Sequence, residues 1–263
     1  MLISRGSGME NRERIVSLAD RLSGTENIAV LTGAGISAES GIPTFRGEEG
    51  LWKKYRAEEL ATPGAFARDP HLVWEWYDWR RKIIGSKKPH AGHAVLASWE
   101  SLFPGMHIIT QNIDGFHSLA GSKNILELHG NIWKLRCTRE GTVTENHTIP
   151  LDNIPPLCPD CSALQRPHVV WFGESLDMAV LDRAFRLSSA CEVMFIIGTS
   201  AVVQPAASLP MTAMENRALT VEINPLPTPL SSHVDYSFRG KAGDILPRID
   251  RELRRKMSSS KEQ

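Results

Sequence analysis

No apolar run in this sequence approaches the length of a bilayer-spanning helix, and the first residues carry no secretory h-region. Neither a membrane protein nor a secreted one is expected, which leaves a cytoplasmic placement. Charge of one sign is missing too: Lys plus Arg is 30 and Asp plus Glu is 30. A balanced chain has no electrostatic reason to seek nucleic acid or an anionic membrane surface. Cysteine is scarce. Cys137, Cys158, Cys161 and Cys191 are too few and too unevenly spaced for a disulfide framework, and a reducing compartment with one metal site fits them better. There are no internal repeats and no long linker, so the 263 residues suit one large domain or one domain carrying an inserted module.

What is present centres on residues 28–46. Ile28, Ala29, Val30 and Leu31 form a short apolar run suited to a buried strand of a parallel sheet. Gly33 and Gly35 follow at once. Glycines directly after a strand allow a sharp turn, and here they are expected to leave backbone N–H groups bare for a pyrophosphate where a helix begins. The dehydrogenase fingerprint is incomplete, because no third glycine follows and Gly41-Ile42-Pro43 ends any helix almost as it starts. Arg46, after the apolar Phe45 in a Pro-containing loop, is placed to clamp a phosphate.

The remaining elements read as an alternation of helices and strands. Ile15, Leu18, Ala19 and Leu22 give residues 10–23 the spacing of an amphipathic helix, with flexible tails expected at 1–9 and 257–263. Residues 51–66 read as short helical pieces. Pro70 opens a stronger helix over 71–84 whose Trp74, Trp76, Tyr77 and Trp79 are expected in the core. A helix over about 90–102 leads to a strand at 107–110, followed by Gln111-Asn112-Ile113-Asp114. Polar side chains at the carboxyl end of such a strand lie where open α/β sheets bind ligands, although Asp114 could equally be a helix cap. A strand at 125–128 ends in His129-Gly130, a histidine placed for acid–base work.

From 133 to 167 the sequence turns short, polar and Pro-rich, too poor in apolar residues to hold itself together. Cys158-Pro159-Asp160-Cys161 has the turn spacing of half a zinc site, with Cys137 from the other half. The residue three after Cys137 is Glu140, so Glu140 or His147 could be the fourth ligand; the alternative is a weak or absent metal, with the cysteines as ordinary loop thiols. Residues 169–172 are strand-like and 178–190 helical. A strand over 193–197 stops at Gly198-Thr199-Ser200, a turn suited to a phosphate or ribose. A strand over 219–223 ends at Asn224-Pro225, and a last helix covers about 242–256. Cys191 reads as a buried core thiol.

Together these motifs resemble the sirtuins, the NAD-dependent protein lysine deacylases. The resemblance spans nearly the whole chain: the loop at 33–46, Thr110 to Asp114, His129-Gly130, the cysteine module, Val170-Trp171-Phe172-Gly173-Glu174, Gly198-Thr199-Ser200 and Glu222-Ile223-Asn224. Their order and spacing are jointly specific. Tyr77 and Arg80 are similar to the Tyr-x-x-Arg signature of the class III branch, whose members prefer malonyl, succinyl or glutaryl lysine. Residues three apart on a helix share a face, so a phenol and a guanidinium could both reach a distal carboxylate. Ala61 is similar to the small residue that keeps the acyl channel roomy in that branch.

The resemblance implies an α/β fold: a Rossmann-like, doubly wound parallel sheet at 10–132 and 168–256, with a helical insertion at about 51–88 and a small zinc-ribbon-like module at 133–167. It implies NAD contacts at Gly33, Ala34, Gly35, Ile36, Ser37, Thr44, Phe45, Arg46, Gln111, Asn112, Ile113, Asp114, Gly198, Thr199, Ser200, Asn224 and Ala242. His129 would be the general base, with Asn112 and Asp114 positioning the ribose and the nicotinamide carboxamide. Ala61, Tyr77, Arg80, Val170 and Phe172 would meet an acyl-lysine peptide, which pairs by backbone with the segment at 170–174. The products implied are nicotinamide, O-acyl-ADP-ribose and free lysine, and zinc is remote and structural.

Overall fold

A computed structural model describes residues 4–43 and 57–259. Helix α1 (Ser4–Leu22) buries Ile15, Leu18 and Leu22 along one face and leads into strand β1 (Ile28–Thr32). Helix α2 (Ala34–Ala38) is cut short, as the sequence indicates, by Gly41 at a φ of 82° and Pro43 behind it. Helices α3 (Ala57–Leu60), α4 (Pro63–Arg68) and α5 (Pro70–Gly85) form the helical insertion. Thr62 and Asp69 cap α4 and α5, each with proline in the first turn, where its missing N–H costs nothing.

Helix α6 (Ala91–Trp99), strand β2 (His107–Thr110), helix α7 (Phe116–Leu119) and strand β3 (Ile125–Glu127) complete the first half of the main sheet. Strands β4 (Gly130–Cys137), β5 (Val143–Glu145) and β6 (Gln165–Val169) then form a separate antiparallel sheet in the order β5-β4-β6. The chain returns through α8 (Met178–Ala190), β7 (Val193–Ile197), α9 (Leu209–Glu215), β8 (Leu219–Asn224), β9 (Tyr236–Arg239) and α10 (Ala242–Ser259).

The main sheet is parallel, in the order β3-β2-β1-β7-β8-β9. Its strands run outward from β1 in both directions, so a crevice opens between the carboxyl ends of β1 and β7, where doubly wound sheets bind ligands. Both faces are covered. Ile28 and Val30 of β1 pack with Leu18, Trp99 and Ile249 on one side, while Ala29 and Leu31 pack with Ala184 and Leu209 on the other. The period of two along the strand is what assigns them to opposite faces.

A third core joins α5 to the small sheet: Val73, Trp74, Trp76 and Tyr77 pack with Ile132, Leu135 and Val169. The module therefore borrows the insertion's aromatic residues as its core. Trp74 is fully buried and its indole N–H donates to Gln165 O at 2.7 Å, so Trp74→Ala would cost about 3–5 kcal/mol and loosen both parts together.

Several boundaries differ from the sequence reading. Helix α1 begins at Ser4, within the segment expected to be a flexible leader; in the sequence Met9 is the one large apolar residue from 4 to 14, so periodicity carried no signal for the earlier turns. Helix α10 continues to Ser259, into the expected tail. Helix α6 stops at Trp99, three residues early. The run 169–172 is not a strand throughout. Strand β6 ends at Val169, and beyond it Val170 N–H donates to His129 O and Phe172 N–H to Ala61 O, two unrelated partners. The small sheet spans 130–169, wider than the cysteine-bearing stretch 133–167. Thr44, Phe45 and Arg46 lie outside the described residues.

Candidate active site

The two glycine turns meet at the crevice. Gly33 N–H donates to Ile197 O at 3.0 Å and Gly35 N–H to Gly198 O at 2.8 Å. These amides are therefore not bare, which corrects the reason given for the glycines from sequence. Close approach is what requires them. A Cβ on Gly33 would stand 2.8 Å from Gly198 O, and one on Gly198, whose φ is +59°, would stand 2.5 Å from Ile36 N. The loops after β1 and β7 interlock backbone to backbone, with no room for a side chain.

Beside this contact the ends of β1 and β2 build a buried polar cluster. Asn112 Nδ2 donates to Gly33 O at 2.9 Å and to Ser37 Oγ at 3.0 Å, and Ser37 Oγ in turn donates to Asp114 Oδ2 at 2.6 Å. Asp114 Oδ1 accepts Phe116 N–H at 2.8 Å, the first amide of α7, although the N-cap position of that helix belongs to Gly115. Burial pushes the Asp114 carboxyl up against those hydrogen bonds. Gln111 Nε2 donates to Thr199 Oγ1 at 3.0 Å, and Asn224 Nδ2 to Thr199 O at 2.8 Å, which ties the ends of β2, β7 and β8 together.

His129 stands at the end of β3 with Nδ1 2.8 Å from Gln111 O. A carbonyl oxygen only accepts, so Nδ1 carries the hydrogen and Nε2 holds the lone pair. Burial holds the imidazole below the ordinary histidine value, against the opposing pull of that carbonyl, and it is neutral at pH 7.

Of the other expected NAD contacts, Ala34 and Ile36 lie in α2, where Ile36 is buried and its carbonyl meets His90 Nε2 at 2.8 Å. Ile113 is buried, its carbonyl accepting Ile132 N–H at 2.8 Å, and Ser200 is exposed. Ala242 N–H is taken by the Glu39 carboxylate, as is Gly243 N–H at 2.8 Å, so the start of α10 already has its anion.

Sequence reasoning missed Thr32, His93 and His117, and named Thr110 within a motif without giving it a role. Thr32 Oγ1 donates to Thr110 Oγ1 at 2.9 Å and lies 3.0 Å from His117 Nε2, while Thr110 Oγ1 accepts Asn112 N–H at 3.0 Å. A hydroxyl at the last position of each of two adjacent strands was the available signal.

Helix α5 places Tyr77 and Arg80 on one face, as their spacing indicates. Tyr77 is buried and its Oη accepts Trp171 Nε1–H at 2.9 Å. Burial pushes the phenol up to about 12, so it stays a hydrogen-bond donor. The Arg80 guanidinium carbon lies 4.8 Å from the Trp76 ring centroid, and burial lowers its pKa, opposed by the neighbouring Tyr77 and Asp114. Ala61 is buried, whereas Phe172 is 48% exposed.

Metal-ligating atoms of Cys137, Glu140, Cys158 and Cys161 all lie within 4.8 Å of one another. Cys137 Sγ and Cys161 Sγ are 3.5 Å apart, and Glu140 N–H donates to Cys137 Sγ at 3.4 Å. Sulfurs around a tetrahedral zinc stand about 3.8 Å apart, so the donors fit that ion in both spacing and softness. Of the two candidates for fourth ligand, the structure brings in Glu140. His147 lies elsewhere, stacked on Trp133 with ring centroids 5.6 Å apart and exposed beside Glu145. Cys191 is a buried thiol at the end of α8, pushed up to about 11 by burial.

Residues 33–205 match the Sir2 family. The NAD-dependent protein deacylase of Aquifex aeolicus is 54% identical over 233 residues, covering 89% of this chain and 98% of that protein. The NAD-dependent protein deacylase 1 of Archaeoglobus fulgidus is 47% identical, covering 92% and 98%. Among solved structures, a Sir2 homolog–NAD complex aligns with a TM-score of 0.86 at 46% identity over 92% of this chain and 94% of that one. A Sir2 protein with a deacetylated p53 peptide and 3′-O-acetyl ADP-ribose aligns at 0.79 and 33% identity, covering 90% and 97%.

Proposed function

The chain belongs to the Sir2 family, and from that premise we infer that it is an NAD-dependent protein lysine deacylase whose acyl pocket favours malonyl- and succinyl-lysine. Bound NAD would supply a ribose carbon activated by its nicotinamide bond and a ribose hydroxyl to receive the acyl group, and one water molecule would be consumed as the amide C–N bond breaks, giving nicotinamide, O-acyl-ADP-ribose and free lysine. The chain's own residues do the rest. Asn112, Ser37 and Asp114 present buried donors and an acceptor for a ribose and a carboxamide, while Gln111, Thr199, Ser200 and Asn224 line the crevice for the phosphates and the second ribose. Arg46 keeps its role as phosphate clamp on the strength of its sequence context.

His129 takes a proton from a ribose hydroxyl at Nε2. Its fixed tautomer supports this: the nitrogen away from Gln111 O is the basic one, and burial keeps it unprotonated. An acyl-lysine peptide lies along 170–174. The N–H groups of Val170, Trp171 and Phe172 are already taken by His129 O, Glu174 Oε2 and Ala61 O, so the peptide pairs chiefly with carbonyl oxygens there. Cys137, Cys158 and Cys161, with Glu140, hold a structural zinc that fixes the small sheet against α5. Thiols serve that role only while reduced, in keeping with a cytoplasmic setting.

One observation carries the dicarboxylic preference: a protonated phenol, bonded to Trp171, and a half-buried guanidinium, stacked on Trp76, sit on one face of α5. A carboxylate entering this pocket meets a donor and a positive charge instead of an apolar wall. In a second reading, favoured by the mutual attraction of Arg80 and Asp114, the guanidinium serves that carboxylate alone and the pocket takes acetyl. Arg80→Met separates them. Activity on succinyl-lysine is expected to fall about 100-fold and that on acetyl-lysine to stay within about threefold. Equal losses on both substrates favour the second reading.

A further inference from the structure

A cavity of about 580 Å³ opens beside the metal cluster, between α4 and the end of β4. Phe66 and Trp171 give it an aromatic wall, their ring centroids 5.3 Å apart. Arg136, Arg139 and Arg166 also line it. Their charges are unequally engaged. Arg166 is held by both oxygens of Glu174 at 2.6 and 2.8 Å and stacks 3.5 Å from the Trp171 centroid. Arg139 donates Nη1 to Cys161 O at 3.2 Å and has no carboxylate at ion-pair distance among the described residues. Arg136 is exposed, and its guanidinium makes neither a hydrogen bond nor an ion pair among the described residues, though against burial its charge joins Arg166 in holding the Glu174 carboxyl below the usual range. The acid on the lining is Glu140, and it belongs to the metal cluster. Three thiolates and a carboxylate outweigh a divalent ion, so the lining is not positive as a whole; what it offers an anion is the pair of guanidiniums, Arg136 and Arg139, that have no carboxylate at ion-pair distance among the described residues.

Its position matters as much as its charge. Trp171 forms one wall and at the same time donates its indole N–H to Tyr77 Oη, so this cavity and the acyl pocket stand on either side of one side chain. A peptide lying along 170–174 passes its mouth.

We propose that this cavity is a subsite for an acidic side chain of the substrate, a few residues from the acyl-lysine, with Arg136 and Arg139 reading the carboxylate. The proposal rests on the deacylase reading for the path of the peptide. Guanidinium groups match carboxylates by bidentate hydrogen bonding, and the Phe66–Trp171 wall accepts the methylenes of a Glu stem. The enzyme then selects lysines in acidic surroundings, a preference separate from the choice of acyl group.

Fluorescence anisotropy of succinyl-lysine peptides tests this, with Glu or Gln placed singly at each of the four positions on either side of the lysine. At one position Glu is expected to tighten binding about fivefold over Gln at low salt, and less at 0.5 M NaCl. The Glu/Gln ratio should fall to one in the Arg136→Gln/Arg139→Gln double variant, whose fold is checked by its melting curve. Should that variant not fold, the single Arg136→Glu variant, at an exposed position, should prefer Lys over Glu at the same peptide position. A ratio of one in the wild type, a ratio unchanged in the variants, or tighter binding of a short single-stranded DNA than of any acidic peptide would overturn the subsite. Binding is read without turnover: an acidic preference with no NAD-dependent deacylation would leave the subsite and remove the deacylase reading, and the reverse result would do the opposite.

Discussion

His129 shows how much one backbone hydrogen bond decides. Gln111 O fixes which nitrogen is basic, and burial fixes that it is unprotonated, so the residue is prepared to accept a proton before substrate arrives. His129→Ala should abolish turnover while isothermal titration still registers NAD binding; turnover within tenfold of wild type would remove the base role. The pH dependence follows from the sign of the shift. With its pKa lowered, His129 remains a competent base below the ordinary histidine range, so the acid limb of kcat/KM should fall under about pH 6.5. An acid limb above that value would contradict the assignment.

At the scale of elements, α6 and α7 bring His93 and His117 together with ring centroids 5.1 Å apart. His93 Nε2 and His117 Nδ1 have no hydrogen-bond partner among the described residues. Burial drives His93 down to about 2 and His117 to about 4. Both bind protons in the unfolded chain near pH 6.5 and resist them when folded. Stability is thus complete above about pH 6.5 and declines as pH falls towards 4. The melting temperature should drop over that window, and drop less in His117→Asn; an equal slope in both proteins would locate the acid sensitivity elsewhere.

Elements of this kind divide by how legible they were. Strands β2 and β7 and helix α8 were readable to the residue, because apolar runs ended at Gln111 and Gly198 and the helix opened after the capping Asp177. The helical turns of α1 before Ile15 and the edge strand β9 lacked such a pattern. Within the site, strand ends located Asn112, Asp114 and His129, since polarity at a carboxyl edge is a one-dimensional signal. The interlock of Gly33 with Gly198 was not legible, because it depends on two loops 165 residues apart meeting without a Cβ. Glu140 could not be separated from His147 for the same reason: only the folded turn puts the carboxylate among the thiols.

Taken whole, the molecule joins two bodies with different supports. The parallel sheet is held by helices on both faces, whereas the small sheet depends on α5 and on the four metal-ligating residues. Purified protein is expected to carry one zinc per chain by elemental analysis, and Cys158→Ser to lose it. Its removal should weaken peptide binding more than NAD binding, because Trp171 and Tyr77 border the small sheet while the crevice proposed for NAD lies between β1 and β7. Equal weakening would mean that the two bodies are not separately supported.

The most direct measurement is mass spectrometry of one peptide, in acetyl-lysine and succinyl-lysine forms, incubated with and without NAD. The expected result is loss of the acyl group only with NAD, one nicotinamide released per lysine freed, and succinyl removed well ahead of acetyl. Loss of acetyl alone would contradict the pocket assigned to Tyr77 and Arg80. Loss of neither would contradict the deacylase itself.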